Sequence, residues 1–389
     1  MSSPSASASA AASRDIRVDF LRGLALWFIF ITHTPGNLLA HGTLRNVAFC
    51  DATEVFVLLA GYAAGIAYGR MLERDGWPTA AGRIVGRMGT LYVAHIFLFV
   101  VFAAQVGFSA AALNQAAYLD ELHLDPFGQE PYRALLEALL LHYQPAFLDI
   151  LPLYIVVLGL FALSLPLIRH PAWLLGLSAT LYVAIRISGF NLPNWTGGSW
   201  FFNPFAWQLV FTIGVVLGRA DPAVLARRLP WHRGLAVLAG LLLLACAVAL
   251  NLVWHGPGFG LYAPEWLAAA IATVDKAGLH PARLASVLLL GWLVAHLIPR
   301  QASWLSHPVP AMFVLMGQQG LAVFCAGIFL SFLGRLALEM IPGLTGQVLV
   351  NLVGLAALIA VAVVSAWYGG EGKRSRKTPL PATSGIVTP

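Results

Sequence analysis

"DFLRGLALWFIFITHT", residues Asp19–Thr34, reads as a membrane-crossing helix with two misfits. Arg22 stands near its start and His33 near its end, with ten residues between them. Eleven positions at ~100° each make about three turns, so both side chains share one helix face. At 1.5 Å per residue they lie ~16 Å apart along the axis. Ionisable groups at membrane depth are costly, which makes both residues functional candidates. The plain alternative is that Arg22 snorkels to the headgroups and pairs with Asp19, three positions back, while His33, two residues before Pro35, is an interfacial histidine.

The rest of the chain supplies the membrane. Its 389 residues are 59% hydrophobic and only 10% charged, with a mean hydropathy of +0.77. A soluble domain carries ~25% charged residues. The composition therefore predicts an all-α integral membrane protein. The net charge of +6 does not point to nucleic acid, because the basic residues fall in short clusters between apolar runs. The cysteines, Cys50, Cys246 and Cys325, are odd in number and two lie inside apolar runs, so no disulfide framework is expected. No metal centre or tightly bound cofactor is predicted either.

Ten runs approach the ~20 apolar residues that span a bilayer. They lie near 19–38, 51–69, 88–108, 148–168, 172–188, 204–219, 232–254, 283–298, 309–332 and 343–368. The expected architecture is a bundle of about ten transmembrane helices over residues 15–368. Strand-like alternation and internal repeats are absent from the sequence, against a membrane β-barrel and against many transporters. The opening "MSSPSASASAAAS" lacks the basic start and apolar middle of a cleavable signal, so residues 1–14 read as a disordered tail. Residues 369–389 read as a second, basic tail. With the N-terminus in the cytoplasm, seventeen of the 23 lysines and arginines fall inside. Only Arg45, Arg133, Arg186, Lys276, Arg283 and Arg335 fall outside. This bias predicts that both termini are cytoplasmic.

Two outer segments are long enough to hold a site. In 109–147, Leu135, Leu136, Leu139 and Leu140 form an apolar stripe suited to a helix lying in the interface. The segment 189–207 is rich in tryptophan and asparagine.

Candidate chemistry gathers toward the outer side. The second run opens with Asp51 and, one turn deeper, Glu54. Asp-x-x-Glu at a helix start resembles a capping box, which accounts for Asp51 better than for Glu54. Glu54 lies at about the depth of His33, where a carboxylate would orient the imidazole and raise its basicity. His142 and Asp149 flank "YQPAFL"; helix capping is the competing account of Asp149. Asn203, Trp207 and Gln208, with Trp195 and Trp200, are candidates for stacking on and hydrogen-bonding to a sugar, against an aromatic belt for the tryptophans. His95 reads as a histidine hydrogen-bonded within the bundle.

An arginine and a histidine so spaced on a first span resemble the signature of the membrane-bound acyltransferase family 3 superfamily. Longer stretches, among them "RDIRVDFLRGLALWFIFITHTPGN", "DATEVFVLLAGYAAGIAYGR", "FFNPFAWQLVFTIGVVLG" and "GQQGLAVFCAGI", resemble the OpgC family. The last departs from the family pattern at Gly320, where a serine is expected. Members of that family add succinyl groups to osmoregulated periplasmic glucans. The resemblance implies a multi-pass protein of the bacterial inner membrane. It would take an acyl-CoA donor, succinyl-CoA, on the cytoplasmic side and a glucan acceptor on the periplasmic side. Arg22, Arg83 and Arg87 would hold the anionic end of the donor. His33 would be the base or would carry the acyl group as an acyl-histidine, with Glu54 or Asp51 orienting it, and His142, Asp149, Asn203, Trp207 and Gln208 would meet the glucan. Arg186 is the candidate cation for a dicarboxylic acyl group. The rival reading from the residues alone is a transporter or flippase for a glycan or acidic solute, which would use intramembrane Arg, His and Glu equally well.

Overall fold

The computed structural model describes residues 15–300 and 302–375, with only the backbone described for 371–375. Residues 1–14 and 376–389, and with them the first expected tail and most of the second, lie outside the described residues. Among the described residues fifteen α-helices follow one another: α1 Ile16–Thr32, α2 Ala52–Ala112, α3 Ala117–Glu121, α4 Asp125–Gln129, α5 Pro131–Leu139, α6 Ile150–Ser164, α7 Pro171–Ser188, α8 Pro204–Arg219, α9 Pro222–Arg228, α10 Arg233–Trp254, α11 Glu265–Ala272, α12 Pro281–Leu297, α13 Pro308–Gln318, α14 Gly320–Met340 and α15 Leu344–Ser375. Strand pairing among the described residues is limited to one isolated bridge, Pro193 to Ser199.

Six helices, among them α6 extended by a 3-10 turn to Arg169, are long and apolar enough to cross a membrane, and a seventh is added if α8 and α9, bent by 116°, count as one. Three expected boundaries need correcting. The runs 51–69 and 88–108 are joined in α2, whose 61 residues break at Gly76 with φ 79°, two positions before Pro78. Positive φ is open to glycine, and proline cannot continue a helix from the preceding turn, so the pair redirects the chain. The run 309–332 is not one helix: it divides at Gln319, which caps α13 and precedes α14. The second expected tail begins later than 369, because α15 continues to Ser375.

Glycines set the closest helix crossings, as in bundles where lipid gives no drive to bury apolar faces and backbones must approach. A methyl group at Gly23 would sit 1.9 Å from the Phe313 carbonyl oxygen, and one at Gly317 would sit 1.8 Å from that of Asp19, so α1 and α13 meet backbone to backbone. Gly61 and Gly65 of α2 likewise face the carbonyls of Phe211 and Val215 of α8 at 2.0 and 2.2 Å.

The contacts also sort the helix ends into two groups. At the arginine-rich end, Arg17 donates to the carbonyls of Ala295 and Ile298, and Trp77 to that of Ala162. At the other end, Asn37 pairs with Asn351 and Gln105 donates to the Phe329 carbonyl. Leu135, Leu136, Leu139 and Leu140, on α5 and its cap, are exposed while Ala134 and Ala138 pack inward.

Candidate active site

His33 terminates α1, and its ring is fixed by its own helix. The backbone N–H of His33 bonds to the Ile29 carbonyl at 2.9 Å, and ring Nδ1 lies 2.7 Å from the same oxygen. A carbonyl only accepts, so Nδ1 carries the hydrogen and Nε2 keeps its lone pair. Phe147, held at φ 71°, meets the imidazole edge-on with centroids 4.3 Å apart. The ring lines a cavity of about 390 Å³, shared with Gln144, Asp149, Asn194, Phe202 and Lys276. Such a volume falls within the range of small-molecule sites.

The two carboxylates at the start of α2 are paired elsewhere than expected. Both halves of the capping box are present: Asp51 accepts from the Thr53 N–H at 2.8 Å, and Glu54 accepts from the Asp51 N–H at 2.9 Å. The other Glu54 oxygen, in a fully buried side chain, takes the Arg283 Nε–H at 2.6 Å. Asp51 pairs with Lys276 at 2.7 Å and Arg283 at 3.5 Å. Two carboxylates and two cations thus close a balanced cluster. The group that orients the His33 ring is the Ile29 carbonyl, and Glu54 is engaged with Arg283 and the capping N–H.

At the arginine-rich end, Arg22 lies where α1, α2 and the break between α13 and α14 meet. It is 3.4 Å from the Gly317 and Leu59 carbonyls and 3.6 Å from Asp19. On α2, Arg83 is exposed and Arg87 half-buried. Tyr154, half-buried on α6, is within electrostatic reach of both Arg87 and Arg22.

The acceptor candidates divide. Asp149 lines the His33 cavity, and its carboxylate makes no capping bond to α6. His142 is exposed, 3.3 Å from Glu137, and stands outside the cavity lining. Asn203 caps α8 and donates to the Phe190 carbonyl. Trp207 is fully buried and donates to the carbonyls of Lys276 and Ala277. Gln208 is buried against Ser178. These last three hold helices and loops together and do not line the cavity. Trp195 is packed by Tyr143 and Arg133, and Trp200 is buried. Arg186 is bound to Asp275 at 2.6 Å, away from the cavity lining. His95 is fully buried with no hydrogen-bond partner on either ring nitrogen, contrary to the bonded histidine expected.

Two functional candidates escaped the sequence reading, Lys276 and Arg283. Both are among the six cations that the charge bias of the sequence assigns to the outer side, and the signal is charge balance: Asp51 and Glu54, set in apolar sequence, require cations to face them. The family model described as OpgC protein matches residues 14–370, nearly the whole chain. No curated protein and no solved structure matches. With its helical bundle, its Arg22 and His33 on one helix and this match along its length, the chain belongs to the OpgC protein family.

Proposed function

We propose that this protein is a membrane O-acyltransferase that moves an acyl group, succinyl from succinyl-CoA, onto hydroxyls of periplasmic glucans. Family membership suggests a part in modifying osmoregulated periplasmic glucans; the donor and the chemistry are our reading. The observation that carries it is His33, a residue of the cavity lining whose Nδ1–H is occupied by the Ile29 carbonyl, so that Nε2 keeps its lone pair.

In this reading the chain crosses the inner membrane ten times, with both termini in the cytoplasm. The long α2 counts as two crossings, and the 17-residue α1 and α12 count as one each. Arg22, Arg83 and Arg87 hold the phosphates of coenzyme A at the cytoplasmic end. The pantetheine arm brings the thioester up the bundle. A glucan hydroxyl attacks the thioester carbonyl while His33 Nε2 takes its proton. The tetrahedral intermediate collapses, the C–S bond breaks, and the proton passes from the imidazolium to the departing thiolate. Asp149 accepts hydrogen bonds from the sugar. Lys276, in place of Arg186, faces the distal carboxylate of the succinyl group.

The test is transfer of label from succinyl-CoA to glucan in membrane preparations. Wild type should label the glucan, and His33→Ala, extracted in equal amount, should lose ~10²–10⁴ in rate. Glucan movement without labelling in wild type would identify a transporter. Near-normal labelling by His33→Ala would end the catalytic reading.

A further inference from the structure

A second cavity, of about 480 Å³, is lined by the two neighbours of His33 in the chain. Thr32 and Thr34 line it, while His33 between them lines the first. Its remaining walls are the segment 35–46 and the end of α10 at Trp254 and His255. Arg45, His41 and His255 are the ionisable groups of its lining, and no carboxylate joins them. The Arg45 guanidinium lies over the Trp254 ring, 5.5 Å from its centroid. The His41 and His255 rings are 4.1 Å apart.

The hydrogen positions follow from one amide. Asn46 Nδ2 donates to the Ala40 carbonyl at 2.8 Å, so its Oδ1 is the atom facing His255 Nε2 at 2.9 Å. His255 Nε2 therefore carries hydrogen, and His41 Nδ1, 3.2 Å from it, presents a lone pair. The hydrogen of His41 is then on Nε2. The wall offers an arginine and an imidazole N–H as hydrogen-bond donors. It is also built in advance. Asn37 and Asn351 exchange hydrogen bonds at 3.0 Å, Gln347 holds Gly36 and Leu38, and Asn251 holds the Asn46 carbonyl.

We infer that this cavity is an anion subsite for the acceptor, taking the carboxylate of an acyl group already esterified to the glucan while a further hydroxyl of the same chain faces His33. The inference rests on the acyl-transfer reading above. A saccharide chain is favoured over a lipid headgroup because Thr32 and Thr34 of this cavity flank His33 of the other. The subsite keeps a partly modified glucan on the protein and favours several acyl groups per chain.

Binding of chemically succinylated and of unmodified glucan to the purified full-length protein in detergent tests this without turnover. Wild type should bind the succinylated form roughly tenfold more tightly, the worth of one charge-assisted contact in water. Arg45→Gln should remove the preference, Arg45→Lys should retain most of it, and His41→Gln should reduce it. Equal affinity of wild type for both glucans would overturn the inference. So would a loss in Arg45→Gln that appears only as weaker binding of anionic phospholipid vesicles, which would assign the cavity to lipid. Because no acyl transfer is measured, a failed preference beside normal glucan labelling rejects the subsite alone. Lack of labelling in wild type rejects the acyl-transfer reading, and the carboxylate assignment with it.

Discussion

Replacing Arg283 with glutamine strands a carboxylate in the protein interior. Glu54 is 0% exposed, with one oxygen on Arg283 at 2.6 Å and the other on the Asp51 N–H. Removing one partner of a buried pair costs about 3–5 kcal/mol, because the remaining charge is left uncompensated. Asp51 keeps Lys276 at 2.7 Å, so the loss falls mainly on Glu54. Glu54→Gln is milder: the amide oxygen still accepts the capping N–H, and Arg283 keeps Asp51. About 1–2 kcal/mol is expected there. The double variant places two amides where two charges stood, and should recover about 1–3 kcal/mol of the Arg283→Gln loss through coupling. Cys50 is 1% exposed and adjoins Asp51, so a thiol-reactive fluorophore reports the opening of this region once Cys246 and Cys325 are replaced by alanine. Heating in detergent is irreversible for many membrane proteins, so the order of midpoints is the readout. Arg283→Gln should melt lowest, with the double variant above it. If the two single variants melt together and the double shows their sum, Glu54 and Arg283 are uncoupled and the cluster is misassigned.

Lys276→Met should lower the ratio of succinyl to acetyl transfer roughly tenfold, while Arg186→Ala should leave it within about twofold; competition between two labelled donors measures both, and an unchanged ratio in Lys276→Met refutes the assignment. Arg87→Ala should raise the KM for the acyl-CoA donor with kcat nearly preserved, since binding common to ground and transition states is what is removed; a variant with unchanged KM and lost turnover contradicts that placement. Gly23→Ala should destabilise by about 1–3 kcal/mol by forcing α1 from α13, read as a lower thermal midpoint. Gly82→Ala, where the added methyl meets open space, should match wild type or exceed it by about 0.5–1 kcal/mol.

Apolar length predicted most of the helices, because hydropathy is a local property of the chain. The departures occurred at residues whose effect depends on backbone direction. The Gly76-x-Pro78 break leaves α2 assigned as one element although it turns, and the stretch Gly317-Gln318-Gln319-Gly320 is the local sign that one apolar run is two helices. In the site, helical spacing placed Arg22 within α1 and His33 at its C-terminal cap. The partners did not follow from spacing. Arg283 and Glu54 are 229 positions apart, and no periodicity relates them. The proposed Glu54–histidine pairing overlooked a nearer acceptor: a helix-terminal histidine can bond its own i−4 carbonyl, as His33 does with Ile29.

Within the tryptophan- and asparagine-rich stretch, Asn194 and Phe202 line the cavity, while Asn203 and Trp207 hold the neighbouring loop. The loop 275–279 carries Lys276 to the cavity, and α7 and α8 clamp that loop from several directions. Trp207 donates to the carbonyls of Lys276 and Ala277, the Asn203 N–H donates to Ala277, and Tyr182 donates to the Leu279 carbonyl. Arg186 closes the clamp on Asp275, which also accepts the Gly278 N–H. Partial burial works to raise the Asp275 carboxyl, but the hydrogen bonds from Arg186 and Gly278 and the Arg186 charge outweigh it and hold the group below its ordinary range. The bond from Arg186 is therefore fully present above the ordinary carboxylate range and weakens only as pH falls through the depressed value. Asp275 and Arg186 are more than a quarter exposed, so this ion pair adds little stability by itself. Its consequence is positional: residues that look like sugar-binding aromatics and a spare cation fix the backbone from which Lys276 reaches Asp51 and the His33 cavity.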